Sequence, residues 1–327
     1  MKVRLMIQTL YGLATFIPGF PSRHQGTRGT DTARYCYSVW LRHLVMAHQN
    51  GLCTTPRVVA ELGPGDSIGV GLAALLSGAE KYFAFDIVEH ASLERNVHIF
   101  EELVDLFRRK EKIPSGDEFP EAKPQLKSYD FPHHILSDAR LNNSCSDARV
   151  DRIRKSLLDT RSTESVIRYV APWHERQLVE KESVDMIFSQ AVLEHVDDLT
   201  FTYRTFHHWL KPDGFMSHQI DFRCHGTAEK WNGHWAYSDL RWKMIRGRRP
   251  YLLNRETHSK HISFLEHAGF RIVGDMAIKS PSELSRHEVA ARFRNMPEDD
   301  LTTSGAFIQS VKDPRYSPTH RMGADAQ

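Results

Sequence analysis

The chain has 327 residues, 40% of them hydrophobic, so it can bury the core of one large domain. Its 43 Lys and Arg nearly balance 41 Asp and Glu, for a net charge of +2, so no overall field calls for nucleic acid or anionic lipid, and any such partner would need a local patch. Cys36, Cys53, Cys145 and Cys224 form no C-x-x-C pair, which excludes a disulfide framework or zinc knuckle and fits a reducing cytoplasm.

The amino end, MKVRLMIQTLYGLATFIPGFPS, is apolar but interrupted by Gln8 and Thr9. It closes at Pro18-Gly19-Phe20-Pro21 and shows no small-x-small cleavage pattern, unlike a secretory signal. It also falls short of the ~20 apolar residues that span a bilayer. It reads as a segment packed on the protein, the alternatives being peripheral membrane contact through residues 4–20 and a signal peptide. The expected location is cytoplasmic or membrane-peripheral.

After a polar loop (22–32), ARYCYSVWLRHLVMAHQNG reads as an amphipathic helix closed by Gly51. Strand-like runs then recur at 57–62, 81–86, 165–170, 184–189, 214–221, 269–278 and 305–312, with helical patterns at 69–79, 91–110, 147–159, 192–210 and 257–268. Strands separated by helices imply an α/β fold: a Rossmann-like, seven-stranded, mostly parallel sheet with helices on both faces and an antiparallel strand at its edge. The reading divides the chain into a helical extension (1–55), a main domain (56–312) and a disordered tail (313–327). Insertions at about 111–164 and 222–256 exceed a minimal α/β unit, and their aromatic content suggests lids.

ELGPGDSIG (61–69) joins the first strand to a helix through a glycine turn, the arrangement that cradles a cofactor. Gly63 and Gly65 are followed by Gly69, one place later than G-x-G-x-x-G requires. Glu61 ends the strand and Asp66 lies in the loop. Carboxylates repel a pyrophosphate, and the helix start is normally kept for that anion. A cofactor carrying a sulfonium and an ammonium reverses that preference, and Asp86, ending the next strand beside Ile87, could accept both ribose hydroxyls. Taken alone, the loop also fits a plain tight turn with Asp86 capping the next helix.

The second motif is VDMIFSQAVLEHVDDLTFTYRTFHHWLKPDGFMSHQID (184–221), a strand, a turn, a helix and a K-P-D-G turn into another strand. Together with the glycine loop it resembles the class I S-adenosylmethionine-dependent methyltransferases, small-molecule branch, typified by D-x-x-x-S-x-x-V-L-E-H-V and L-K-P-G-G. The resemblance covers about 57–90 and 184–221. It implies S-adenosyl-L-methionine as cofactor, with Glu61, Gly63, Gly65 and Ser67 around the methionine moiety, Asp86 at the ribose, and Gln190 with Ala191 near the reacting methyl. Where that family often has an acid for the adenine amine, this chain has Tyr169-Val170-Ala171-Pro172-Trp173, and Trp173 could stack on the base instead.

Methyl transfer from a sulfonium is an in-line displacement, so alignment does much of the work and a hydroxyl acceptor needs a base. Ser189-Gln190-Ala191-Val192 lacks the Asn-Pro-Pro-Tyr pattern that suggests exocyclic amines of bases or of glutamine, so that class is disfavoured and a small-molecule or glycan hydroxyl is the expected acceptor. Candidate catalytic residues are His195, and His218 with Asp221 at the end of the fifth strand; the last two lie three apart and point to opposite faces unless the chain bends. A core or helix-face role is the alternative for each histidine. No metal is expected, since His218, Cys224 and His225 match no zinc spacing. The stretch 230–261 mixes Trp231, Trp235, Tyr237, Trp242 and Tyr251 with Arg241, Lys243, Arg246, Arg248, Arg249 and Arg255. It reads either as a packed helical lid or as a binding surface for an acidic glycan, a nucleotide sugar or a lipid-linked sugar phosphate. The alternative function is nucleic-acid binding or RNA methylation through this patch, although nucleic acid is not the expected partner. A nicotinamide oxidoreductase is disfavoured by Asp66, and a cofactor-binding protein without catalysis stays open.

Overall fold

The computed structural model describes residues 2–20, 30–249 and 251–316. In chain order its elements are α1 (Lys2–Ala14), α2 (Ala33–Gln49), β1 (Val58–Leu62), α3 (Gly69–Leu76), β2 (Lys81–Phe85), α4 (Leu93–Arg109), α5 (Asp138–Ser144), α6 (Asp147–Leu157), β3 (Ile167–Val170), β4 (Val184–Gln190), α7 (Leu199–Trp209), β5 (Leu210–Asp221), α8 (Asp239–Arg246), α9 (His258–His267), β6 (Phe270–Lys279), α10 (Glu298–Thr302) and β7 (Thr303–Lys312). Local chemistry starts the long helices where the sequence suggests. Thr32 caps α2 by accepting the Tyr35 amide, and Ser92 caps α4 by accepting that of Arg95.

The seven strands form one sheet in the order β3-β2-β1-β4-β5-β7-β6. Neighbours from β3 through β5 run parallel, whereas β7 is antiparallel to both β5 and β6. The antiparallel strand therefore lies one place inside the edge, and β6 is outermost. Strand order reverses between β1 and β4, so the crevice beyond their carboxyl ends is where an open α/β sheet binds ligands.

Side chains alternate across the sheet. Val59, Tyr82, Met186, Phe188 and Phe215 join the core under α2, α3 and α4. Ala60, Leu62, Phe83, Phe85, Ile187 and Met216 join the opposite core with α7 and α9. Helix α3 is buried on all sides and approaches the sheet so closely that a Cβ at Gly71 would lie 1.9 Å from the Tyr82 ring.

The first insertion is built into the α2 side of the fold rather than hinged over the sheet. Arg42, fully buried, donates to the Pro114 and Pro124 carbonyls, and Ser38 and Tyr37 donate to Pro114 and Glu111. In the second, Trp235, Tyr237 and Trp242 turn inward, which fits the packed-lid reading of this stretch rather than the stacking surface. Helix α1 crosses α8 so tightly that a Cβ at Gly12 would lie 2.1 Å from the Met244 carbonyl oxygen. The start of the expected disordered tail is ordered, with the Asp313 amide donating to the Gly269 carbonyl and Tyr316 packed on His207; residues 317–327 lie outside the described residues.

Candidate active site

The carboxyl ends of β1, β2 and β4 converge on the glycine turn. Gly63 and Gly65 have φ of +67° and +76°, a region that glycine enters without strain. The Gly63 amide donates to the Phe85 carbonyl at 2.8 Å, fixing the turn to β2. A Cβ at Gly63 would come within 2.6 Å of Val192, so the turns after β1 and β4 approach each other only because this position lacks a side chain. Asp86 stands at the end of β2, 7% exposed. Its carboxylate accepts the Ile87 amide at 2.7 Å, and the Gly65 amide also faces it. Burial raises its pKa in spite of these donors. Half-buried Ile87 follows it at the mouth. Ala191, exposed and with φ of +53°, marks the β4 side.

Three expected cofactor contacts are placed elsewhere. Glu61 falls in the same alternating row as Val59 and so faces the α3 core, 2% exposed. It accepts the Tyr82 hydroxyl and the Gly71 amide, and burial pushes its carboxyl up to about 8. Ser67 is fully buried and donates to the Thr30 carbonyl, while its amide donates to Thr30 Oγ1, so it ties the loop to the chain before α2. Trp173, 7% exposed, stacks on Phe201 and Phe206 with ring centroids 6.1 and 6.4 Å away, so it offers no open face for a base. The Gln190 side chain reaches back toward the Lys123 carbonyl, 3.5 Å away.

On the acceptor side, the turn after β4 meets the end of β5. His195 Nδ1 lies 2.9 and 3.2 Å from the Tyr251 and Leu252 carbonyl oxygens. Those oxygens can only accept, so Nδ1 carries the proton and Nε2 keeps a lone pair. Burial, reinforced by neighbouring His225, lowers His195 to about 4, so it is neutral at pH 7. The two rings meet at 5.0 Å, edge to face. His225 Nε2 lies 3.3 Å from Asp221 Oδ2. Beneath them Glu194 is 3% exposed, its carboxyl bonded to no side chain and faced only by the Glu194 and Asp221 amides, and burial raises it to about 8.

His218 is not part of this group. Period-two alternation turns it into the core, where it stacks on Phe206 at 5.7 Å, bonds Ser189 Oγ through Nδ1 at 2.8 Å and is 1% exposed. Burial lowers it to about 3. With no opening to an acceptor, it is a core histidine and not a base. Asp221 joins the site through His225, as the opposed facing of 218 and 221 requires. Glu194 was missed as a site residue, and His225 was weighed only as a ligand beside His218 and Cys224. Glu194 hides in the apolar run Val192-Leu193 to Val196, and His225 lies in a turn whose φ of +44° no spacing rule reveals.

A family model described as a methyltransferase domain matches residues 145–217. That span carries β3, β4 and two-thirds of β5. The chain carries an S-adenosylmethionine-dependent methyltransferase domain. No curated protein matches it. Solved structures similar to this methyltransferase include an S-adenosylmethionine-dependent methyltransferase from Mesorhizobium loti (14% identity, 79% of this chain and 91% of that one, TM-score 0.38). Others are phosphoethanolamine N-methyltransferase 2 from Haemonchus contortus in complex with S-adenosyl-L-methionine (13%, 90% and 61%, TM-score 0.42) and a methyltransferase from Methanosarcina mazei (10%, 82% and 97%, TM-score 0.42).

The residues present in the methyltransferase fit its cofactor. A buried carboxylate at the end of β2 suits a vicinal diol, glycines at 63 and 65 leave the turn open beside it, and Asp66 and Asp86 favour a cation over a phosphate. Asp86, Ile87, Gly63, Gly65 and Ala191 would hold the cofactor, whose sulfonium would supply the methyl.

Proposed function

We propose that the enzyme transfers the methyl group of S-adenosyl-L-methionine to a hydroxyl of a small molecule or glycan. The observation that carries this reading is His195, held by two carbonyls so that its partly exposed Nε2 is an acceptor at the edge where β4 and β5 end. A neutral amine attacks a sulfonium with its own lone pair, whereas a hydroxyl must lose a proton, and a cluster of His195, His225 and Asp221 beside the crevice can take it. The inward-turned Trp235, Tyr237 and Trp242 leave little for base stacking, so the nucleic-acid alternative gains no support. A cavity of about 370 Å³ is lined by Lys243, Arg246, Arg248, Arg249, Arg255 and Asp239; Arg246 and Arg255 are paired with Asp197 and Asp239, so exposed Lys243 and Arg248 are the cations that suit the phosphate or carboxylate of an acidic glycan or lipid-linked sugar.

The test is labelled-methyl transfer to a panel of sugars, polyols and their amino counterparts. Incorporation into hydroxyl compounds, lost in His195→Asn with S-adenosylhomocysteine affinity unchanged, supports the reading; incorporation into amines alone contradicts it.

Peripheral membrane contact belongs to the same proposal. Helix α1 docks on α8 by one face, with the Arg248 amide donating to Thr15 Oγ1 and Arg249 lying over Tyr11. Its other face exposes Met6, Ile7, Leu10 and Leu13, and exposed Ile17 follows the helix, beside exposed Lys243 and Arg248. An apolar stripe bordered by cations suits an anionic bilayer surface. Among the described residues no helix is long and apolar enough to cross a membrane.

A further inference from the structure

Glu194, His195 and His225 come from two separate turns and converge at one point. One donor atom from each lies within 4.8 Å of the others, and His195 Nε2 stands 4.0 Å from Glu194 Oε1. Tetrahedral ligands at about 2.0–2.2 Å from a metal stand roughly 3.4 Å apart, so the three need close by only about an ångström. His225, partly exposed on its turn, is the one with room to move.

The surroundings are those of a ligand set. His195 donates Nδ1–H to two backbone carbonyls, the outer contact that fixes the tautomer of a metal-binding imidazole and aims its other nitrogen. His225 is held by the Asp221 carboxylate in turn. Glu194 is the independent observation: a carboxyl 3% exposed, bonded to no side chain, with only the Glu194 and Asp221 amides facing it, and one oxygen within 4.8 Å of a ring nitrogen of each histidine. A buried carboxyl so weakly partnered is costly, and a cation is what this geometry offers to relieve it. Cys224 stays apart, its thiol bonded to the Ala228 carbonyl.

We propose that Glu194, His195 and His225 bind one divalent first-row transition ion, with Asp221 as outer support. Two imidazoles and one carboxylate suit Zn²⁺, Co²⁺ or Mn²⁺ better than the all-oxygen preferences of Mg²⁺ and Ca²⁺. Three protein ligands leave a coordination position open. This inference rests on the proposed acceptor site: with the ion bound, His195 Nε2 is a ligand rather than the base, and an oxygen bound at the open position would lose its proton to solvent more easily.

The experiment is Co²⁺ titration of the full, chelator-treated chain, read by visible absorption, with Zn²⁺ displacement and S-adenosylhomocysteine stabilisation measured in parallel. One Co²⁺ per chain displaced by Zn²⁺ is expected. Glu194→Gln and His225→Ala should each weaken it at least about tenfold, with S-adenosylhomocysteine stabilisation retained as evidence of folding. Replacing both His48 and His134, a surface pair with ring centroids 4.6 Å apart, should leave it unchanged. Absence of a Co²⁺ band, or a band as strong in Glu194→Gln as in the wild type, overturns the metal site. Metal binding without S-adenosylhomocysteine binding would leave the site standing and fail the cofactor reading; the converse would fail the site alone.

Discussion

Glu61→Gln probes the acid that opens the glycine loop. The structure turns this carboxyl into the α3 core, where it takes the Tyr82 hydroxyl and burial raises it from 4.5 to about 8. Because the folded value lies above the unfolded one, the associated stability is complete below about pH 4.5 and is lost as pH rises through 8. At pH 6 roughly two pKa units of it remain, about 3 kcal/mol; by pH 9 almost none does. Glutamine keeps the shape without the titration. Urea denaturation of both proteins at pH 6 and pH 9 cancels every other titrating group, so the wild type should lose about 3 kcal/mol relative to the variant between the two, a large share of a typical domain's stability. A difference independent of pH would mean that Glu61 is solvated and ionised, and the assignment of its side chain to the core would fail.

Gly71→Ala should lower the urea midpoint. The roughly 1 kcal/mol of helix propensity gained is outweighed by a Cβ driven into the Tyr82 ring, a net loss of at least about 1 kcal/mol. A midpoint that rises would show that α3 has room there. Leu10→Asp with Ile17→Asp should abolish sedimentation with vesicles containing phosphatidylserine while leaving S-adenosylhomocysteine stabilisation intact. Equal sedimentation of variant and wild type would remove α1 as the contact.

The sheet was legible because buried parallel strands write themselves as short apolar runs between helical periods, and the seven predicted runs are the seven strands. The last two runs pair antiparallel at the sheet edge as expected, while their order there was not legible: nothing in GAFIQSVK says that it inserts between β5 and β6. Asp86, Gly63 and Gly65 stand where the motif puts them, since a strand end and a turn leave little freedom. Glu61 and His218 went astray for a shared reason. Each lies within a strand whose alternation, once the register is known, sends it into the core, and each is polar enough to look functional. Trp173 was drawn inward by Phe201 and Phe206, neighbours far away in sequence. The cluster at Glu194 and His225 joins residues 31 positions apart, and only the folded chain brings them together.

The central claim is that the crevice between β1 and β4 receives a cationic nucleoside and not a dinucleotide phosphate. Thermal unfolding in saturating S-adenosylhomocysteine and, separately, NAD tests it directly, because a ligand at 100 times its Kd adds about 2.7 kcal/mol. The account predicts stabilisation by S-adenosylhomocysteine alone, abolished in Asp86→Ala; stabilisation by NAD alone, or a response to S-adenosylhomocysteine that survives Asp86→Ala, would contradict it.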